Sequence, residues 1–369
     1  MRPATARPSG GRSGRRRLLA AIASLGLPAR IVPAGAGLLA GRHGGLAAAQ
    51  ARRTRFALIC DTSYDETEAA DLPAVIAAAG RGSEFILHLG DIKSGIEICD
   101  DETLARRLAP LRGAAIPLVF VPGDNEWLDC HRLLAGSFDP LERLRRLREL
   151  AYAQPPAAGV PAGLQWQRGA DSSISTSETG STWPEHQRWI AGPAMFTTLN
   201  VPGSRNGLST QVAAQVHRRR ATAVTRWLLE SAELAARQHL PVLVVGFHAT
   251  VALERLSADD LDADVIDSGR PYAWFRALLW RCVVRFPGTV LLLNGDAHSF
   301  RDGLPWQYGR YARRAAERFA VDDRVAEQRM RRTRWIQGFG SPHSRHWLQI
   351  EISAPDDAPP AIVASARHV

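Results

Sequence analysis

Residues 117–132 read PLVFVPGDNEWLDCHR, and the interpretation of this stretch decides the fold. An apolar run over 117–121 stops at Pro122-Gly123 and leads at once into Asp124, Asn125 and Glu126. A short continuous apolar run, without alternation, fits a strand covered on both faces, as in a sheet packed between layers. Working outward, the same pattern recurs. Residues 55–60 (RFALIC) run into Asp61-Thr62-Ser63-Tyr64, and 84–89 (EFILHL) run into Gly90-Asp91-Ile92-Lys93. In the second half, 242–247 (VLVVGF) precede His248, and 289–293 (TVLLL) precede Asn294-Gly295-Asp296-Ala297-His298. Helical stretches separate these strands at 66–79, 102–111, 140–152, 211–238 and 272–286. Asp139 with Pro140 starts the third of them, and Gly80 and Gly113 stop the first two. Further strands are expected at 195–201 and, with one wet face, at 347–352, and 155–180 reads as loop. Alternating strands and helices place the chain in the α/β class.

The acids fall where an α/β sheet binds its ligands, at the carboxyl ends of strands. One Gly-Asp after a strand is more often a turn than a ligand. Five clusters, each directly after an apolar strand, are far more specific. Asp61, Asp91, Asp124 and Asp296 with His248 and His298 would repel if gathered without a cation, and divalent ions relieve that repulsion.

Composition excludes several alternatives. The chain has 369 residues, 45% hydrophobic and 22% charged, which rules out wholesale disorder, collagen and coiled coil. Four cysteines, with no CxxC spacing, rule out a disulfide-dense scaffold and a thiolate metal site. The net charge is +9, but residues 1–50 hold eight arginines and no acid, which leaves +1 for 51–369. The basicity belongs to the leader, so no nucleic acid is expected as a partner. In that leader Arg15-Arg16-Arg17 precede an apolar segment over 18–39 that Pro28 and Arg30 interrupt, and Ala47-Ala48-Ala49 offer a cleavage point. This resembles a twin-arginine export signal, which implies a periplasmic or secreted protein without a membrane span once the signal is removed. Residues 51–369 read as one large domain, with an Arg-rich, solvated helical insertion at 305–334. Cys99 and Cys130 each follow a strand-end cluster; a disulfide between them and two free thiols are both open.

The order of the clusters resembles the calcineurin-like metallophosphoesterase superfamily, over about residues 55–300. That family carries Asp-x-His, Gly-Asp, Gly-Asn-His-Asp/Glu, a lone His and Gly-His-x-His in this order. The runs VPGDNEWLDCHR and TLNVPGSRNGLS are similar to those of a bacterial exported subgroup with a Gly-Asp-Asn-Glu third motif. The resemblance implies two packed mixed β-sheets flanked by helices, a four-layer αββα sandwich. It also implies hydrolysis of a small phosphoester by a hydroxide bridged between two divalent ions. By motif position, Asp61, Asp91 and His298 hold the first ion, and Asp91, Asp124, His248 and Asp296 the second. Ser63 stands where the family has a histidine ligand, Asp124 and Asp296 replace a neutral Asn and His, and Asn125 replaces the catalytic histidine. Such carboxylate-rich seats favour Mn²⁺, Mg²⁺, Ca²⁺ or Fe over Zn²⁺. Asn125 and Lys93, the chain's only lysine, are the expected donors to a phosphate oxygen, with Arg132 nearby. A proton donor is left open among His88, His131 and His343, and Asn125 cannot protonate a leaving alkoxide. The alternative is an exported binding or scaffold protein on the same fold, with a degenerate site.

Overall fold

The first sheet starts with β1 (Arg52–Ile59), exposed at Arg52 and Arg53 and buried throughout from Phe56 onward. The computed structural model describes residues 52–168, 182–208, 211–253, 270–305 and 312–369; the leader, with its export-signal reading, lies outside them. β1 runs parallel to β2 (Phe85–His88), which runs parallel to β3 (Leu118–Phe120). Helices α1 (Glu66–Gly80), α2 (Asp101–Arg112) and α3 (Pro140–Tyr152) follow these strands. Each starts where an aspartate side chain accepts an otherwise orphaned backbone N–H: Asp65 from Glu68, Asp100 from Thr103, Asp139 from Leu141 and Glu142.

The second sheet begins with β4 (Gln165–Arg168), β5 (Thr182–Ala191) and β6 (Ala194–Thr198), joined antiparallel. Parallel pairing then continues through β7 (Val242–Gly246) and β8 (Thr289–Asn294), with helices α4 (Gln211–Arg237) and α5 (Ala273–Arg285) between them in sequence or space. β9 (Arg301–Gly303) forms the edge against β10 (Arg334–Gln337), which pairs parallel with β8. Helices α6 (Ala312–Phe319) and α7 (Asp323–Arg331) precede β10. The chain then returns to the first sheet as β11 (His346–Ala354) and β12 (Ala361–His368), both antiparallel. The orders are β12-β11-β1-β2-β3 and β4-β5-β6-β7-β8-β10-β9.

Alternation along each strand builds the layers. Phe56, Leu58, Phe85 and Leu87 of the first sheet meet Phe196, Val244, Leu291 and Leu293 of the second in one apolar cluster. Their neighbours Ala57, Ile59 and Ile86 face the other way, onto Leu72, Val75, Leu108 and Leu144 of α1 to α3. On the second sheet Leu243, Val245, Val290 and Leu292 face Trp227, Leu228, Leu279 and Val283 of α4 and α5. The result is the αββα sandwich of two mixed sheets that the sequence resemblance implies. It brings the carboxyl ends of β1, β2, β3, β7 and β8 to one edge.

Several elements differ from the sequence reading. β4 lies inside the stretch read as loop, and β5, β9, β10 and β12 were not anticipated. The sequences QWQR, TWPEHQRWIA, RDG and RWIQ lack a continuous apolar run, and AIVASARH of β12 has only the short one at 361–364. Edge position explains β4, β9 and β12, since an edge strand is wet on part of its surface. Where described, the Arg-rich stretch is helical and also contributes Ala316, Ala326 and Met330 to the core over the second sheet. No helix among the described residues is long and apolar enough to cross a membrane.

Candidate metal centre

The turns that end the strands are themselves strained. Asp61, Asp91, Asp296 and His298 all have positive φ, at 52°, 58°, 69° and 59°. Left-handed backbone costs a non-glycine residue about 1–2 kcal/mol, and such strain clusters where a side chain must be aimed. Two glycines let the turns approach. A Cβ on Gly123 would lie 2.0 Å from Asp91 Oδ1, and one on Gly203 would lie 2.4 Å from Asp124 Oδ1.

The first sheet presents Asp61, Asp91 and Asp124; the second presents His248, Asp296 and His298. His248 Nε2 lies 3.1 Å from Asp124 Oδ1, 3.5 Å from Asp91 Oδ1 and 3.8 Å from Asp296 Oδ1. His298 Nε2 lies 3.7 Å from Asp61 Oδ1. Ligand atoms of Asp61, Asp91 and His248, and of Asp124, His248 and Asp296, fall within 4.8 Å of one another. His248, rather than Asp91, is thus common to both compact triads, and His298 stands beside them. The two imidazoles are oriented alike. Nδ1 of His248 faces the Leu89 carbonyl at 2.6 Å and Nδ1 of His298 the Ser341 carbonyl at 2.8 Å, so each points Nε2 at the carboxylates. Anchoring one ring nitrogen on a carbonyl is the usual support of a metal-ligating histidine.

Asp91 is held at both oxygens. Oδ1 accepts the backbone N–H of Asp124 and Asn125, each at 3.0 Å, and Oδ2 accepts the Tyr64 hydroxyl and the Asn125 amide, each at 2.7 Å. Asp61 accepts the Asp296 N–H at 2.9 Å, and Asp296 accepts the Thr250 N–H at 2.6 Å. The Ser204 hydroxyl lies 2.6 Å from both Asp124 and Asp129.

Crowding of buried acids shows in their proton affinities. Burial, reinforced by the charges of Asp296 and Asp124, pushes Asp61 up to about 8 against the pull of His248. Asp91 rises well above the carboxylate range by burial and by the charges of Asp124, Glu126 and Asp61. Burial raises Asp129 to about 6, with Asp124 adding to it. Burial also works against the charged form of Asp124 and of His248, but there it loses. Hydrogen bonds from His248 and Ser204 bring Asp124 down to about 2, and the surrounding carboxylates hold His248 well above the ordinary imidazole value. Through protein atoms alone, the cluster balances its charge by retaining protons.

Two expected donors are placed otherwise. Lys93 is fully buried and its ammonium donates to the carbonyls of Ser94 and Glu97, so it braces its own loop and is not presented to a substrate. Asn125 directs its amide at Asp91, the Tyr64 hydroxyl (3.0 Å) and the Lys93 carbonyl (3.1 Å); it holds Asp91 rather than standing free. Arg132 is at the rim, 2.7 Å from Asp129 and 3.4 Å from the Ser204 hydroxyl. Of the histidines considered as proton donors, His88 is buried against Thr62 and burial drives it down to about 3, so it is neutral at physiological pH. His131 contacts the Leu128 carbonyl, and His343 packs with Phe339 and His346. Sequence reasoning missed Tyr64, Glu126, Asp129 and Ser204. Tyr64 stands three residues after Asp61, Glu126 accepts the N–H groups of Gly123 and Asp91, and Ser204 lies within TLNVPGSRNGLS, but no spacing rule points to them. Cys99 and Cys130 are joined in a disulfide that ties the loop after Asp91 to the loop after Asp124.

No protein-family model and no curated protein matches the chain. Among solved structures it is similar to a purple acid phosphatase from yellow lupin (Lupinus luteus) seeds, at 11% identity and a TM-score of 0.45, over 86% of this chain and 52% of that one. The NAD nucleotidase of Haemophilus influenzae is similar at 12% identity and a TM-score of 0.42, over 87% and 57%. GAP50, the anchor in the inner membrane complex of Plasmodium, is similar at 10% identity and a TM-score of 0.39, over 86% and 89%. The chain spans little more than half the length of the first two.

Proposed function

We propose that the chain is a metal-dependent hydrolase of phosphoester bonds, exported to an oxidising compartment. One observation carries the reading: four carboxylates and two carbonyl-anchored imidazoles, drawn from two sheets, converge at one edge of the sandwich. The donor set fits divalent ions, because buried acids this close keep protons unless a cation takes their place. Asp61, Asp91, Asp124, His248, Asp296 and His298 would hold them, and four carboxylates among six ligands favour Mn²⁺, Mg²⁺, Ca²⁺ or Fe. When bound, such ions supply Lewis-acid polarisation of a phosphoryl oxygen and an acidified water. The chain's own part is to orient and to screen charge. Asn125 and Tyr64 fix Asp91, Ser204 fixes Asp124, and Arg132 at the rim offers a cation to phosphate oxygens. Asn125 stands where a proton-donating histidine is expected and His88 is neutral at physiological pH, so esters with acidic leaving groups are the expected substrates. The Cys99–Cys130 disulfide supports export, since such bonds persist outside the reducing cytosol.

The test is metal analysis of the purified protein together with turnover of bis(4-nitrophenyl) phosphate. Bound divalent metal and turnover are expected, and Asp91→Asn is expected to lose both. A protein without metal overturns the proposal. Metal without turnover of any phosphoester favours the second reading, a binding protein with a degenerate site, which Ser63 and Asn125 in place of histidines support.

A further inference from the structure

Two loops beside the centre carry four large aliphatic side chains that the fold leaves in solvent. Leu133 is 85% exposed, Leu134 67%, Ile96 61% and Ile98 51%. The loops are clasped together. The Cys99–Cys130 disulfide joins them, the Cys99 N–H donates to the Ala135 carbonyl at 3.0 Å, and Arg132 donates to the Gly95 carbonyl at 3.4 Å. The same clasp borders the candidate metal ligands. A Cβ on Gly95 would lie 2.8 Å from Asn125 Oδ1, and Arg132 reaches Asp129 and Ser204, whose hydroxyl touches Asp124. Exposed apolar residues scattered singly need no explanation, but four on one clasped double loop at the edge of a site mark a contact surface. The set is purely aliphatic, without the Tyr, Trp or Phe that anchor protein partners. Beside it stands half-exposed Arg132, which suits an anionic group at the junction.

We infer that the substrate is an amphiphilic phosphoester: its phosphate meets the Asp91–Asp124 end of the centre, and its hydrocarbon part lies on Ile96, Ile98, Leu133 and Leu134. This rests on the phosphoesterase reading and narrows its substrate class. Arg132 sits between the two halves, where phosphate and hydrocarbon join. The clasp holds the patch in place before substrate arrives, so little ordering opposes binding.

The test uses the full chain with Mn²⁺ and two homologous series. Calorimetry follows binding of n-alkyl phosphates from butyl to decyl below their micelle concentrations, and kinetics follows 4-nitrophenyl alkyl phosphates of the same lengths. For the protein as it stands, Kd and KM are expected to fall by roughly threefold for each methylene that reaches the patch. In the variant Ile96→Ser/Ile98→Ser/Leu133→Ser/Leu134→Ser, whose changes are all at the surface, that dependence is expected to vanish while kcat/KM for the methyl ester is unchanged. Turnover with no chain-length dependence overturns the inference and leaves the hydrolase reading standing. Chain-length-dependent binding lost in the variant, but without turnover of any ester, supports the patch and overturns the hydrolase reading. Self-association that the variant abolishes, with no chain-length dependence, assigns the patch to a second copy and overturns the inference.

Discussion

Asp91 has both carboxylate oxygens engaged, by two backbone N–H groups on one and by Tyr64 and Asn125 on the other. The Tyr64 hydroxyl also lies 3.2 Å from His298 Nε2, so one phenol touches groups brought by both sheets. Burial and the charge of Asp91 raise the Tyr64 phenol, which keeps it a donor at any working pH. Tyr64→Phe removes that donor and leaves the ring's contact with His298. A hydrogen bond to a charged group is worth about 1.5–3 kcal/mol, so kcat/KM is expected to fall by roughly tenfold to a hundredfold. Metal analysis accompanies the kinetics, with metal content expected to persist because Tyr64 orients a carboxylate and is not one of the six ligands.

Among the elements, the loops that leave β2 and β3 depend on the disulfide. It closes a loop with a sequence separation of 31 residues, and the chain-entropy account puts such a closure at about 3–4 kcal/mol. Cys99→Ser/Cys130→Ser is expected to lower the unfolding free energy by an amount matching that figure, with a steeper denaturant slope because the unfolded chain, no longer cross-linked, exposes more surface. Thiol titration of the unfolded protein is expected to find two reactive groups, Cys60 and Cys282, before reduction and four after it. Four thiols without reductant would show that the bond does not form. At this scale the sequence was most legible where local chemistry is strongest: Asp139 with Pro140 marks the start of α3, whereas the matching caps Asp65 of α1 and Asp100 of α2 emerge only in the structure. β4, β5 and β12 were illegible because a partner strand, not their own pattern, makes them strands.

For the whole molecule, the retained protons predict a pH dependence. Asp61 in the fold is pushed up to about 8 from an ordinary 3.8, so between these values the folded chain keeps a proton that the unfolded chain has lost. Stability of the metal-stripped protein is therefore expected to fall as pH rises from about 6.5 to 8; below that range the buried imidazoles of His88 and His186, held at about 3, and of His217, at about 4, act the other way. His248, raised from an ordinary 6.5, acts in the same direction above that value, and Asp129 does so up to about 6. Asp124, at about 2, acts oppositely but only below about 4. Divalent metal is expected to raise Tm more at pH 8 than at pH 5, with protons released on binding, as measured by calorimetry in buffers of differing ionisation enthalpy. A Tm of the stripped protein that climbs from pH 7 to pH 8 would contradict the crowded-acid account. By itself the sequence determined the α/β class, the break of each apolar strand into an acidic turn, and the names of the six candidate ligands. Those features are local, set by side-chain period and by glycine within a few residues. Only the tertiary structure decided that His248 stands between the two groups of acids, that Tyr64 and Ser204 touch them, and that Lys93 turns away. Residues as far apart as Asp61 and Asp296, 235 positions along the chain, meet through the packing of two sheets, and no pattern within a strand encodes the register of one sheet on another.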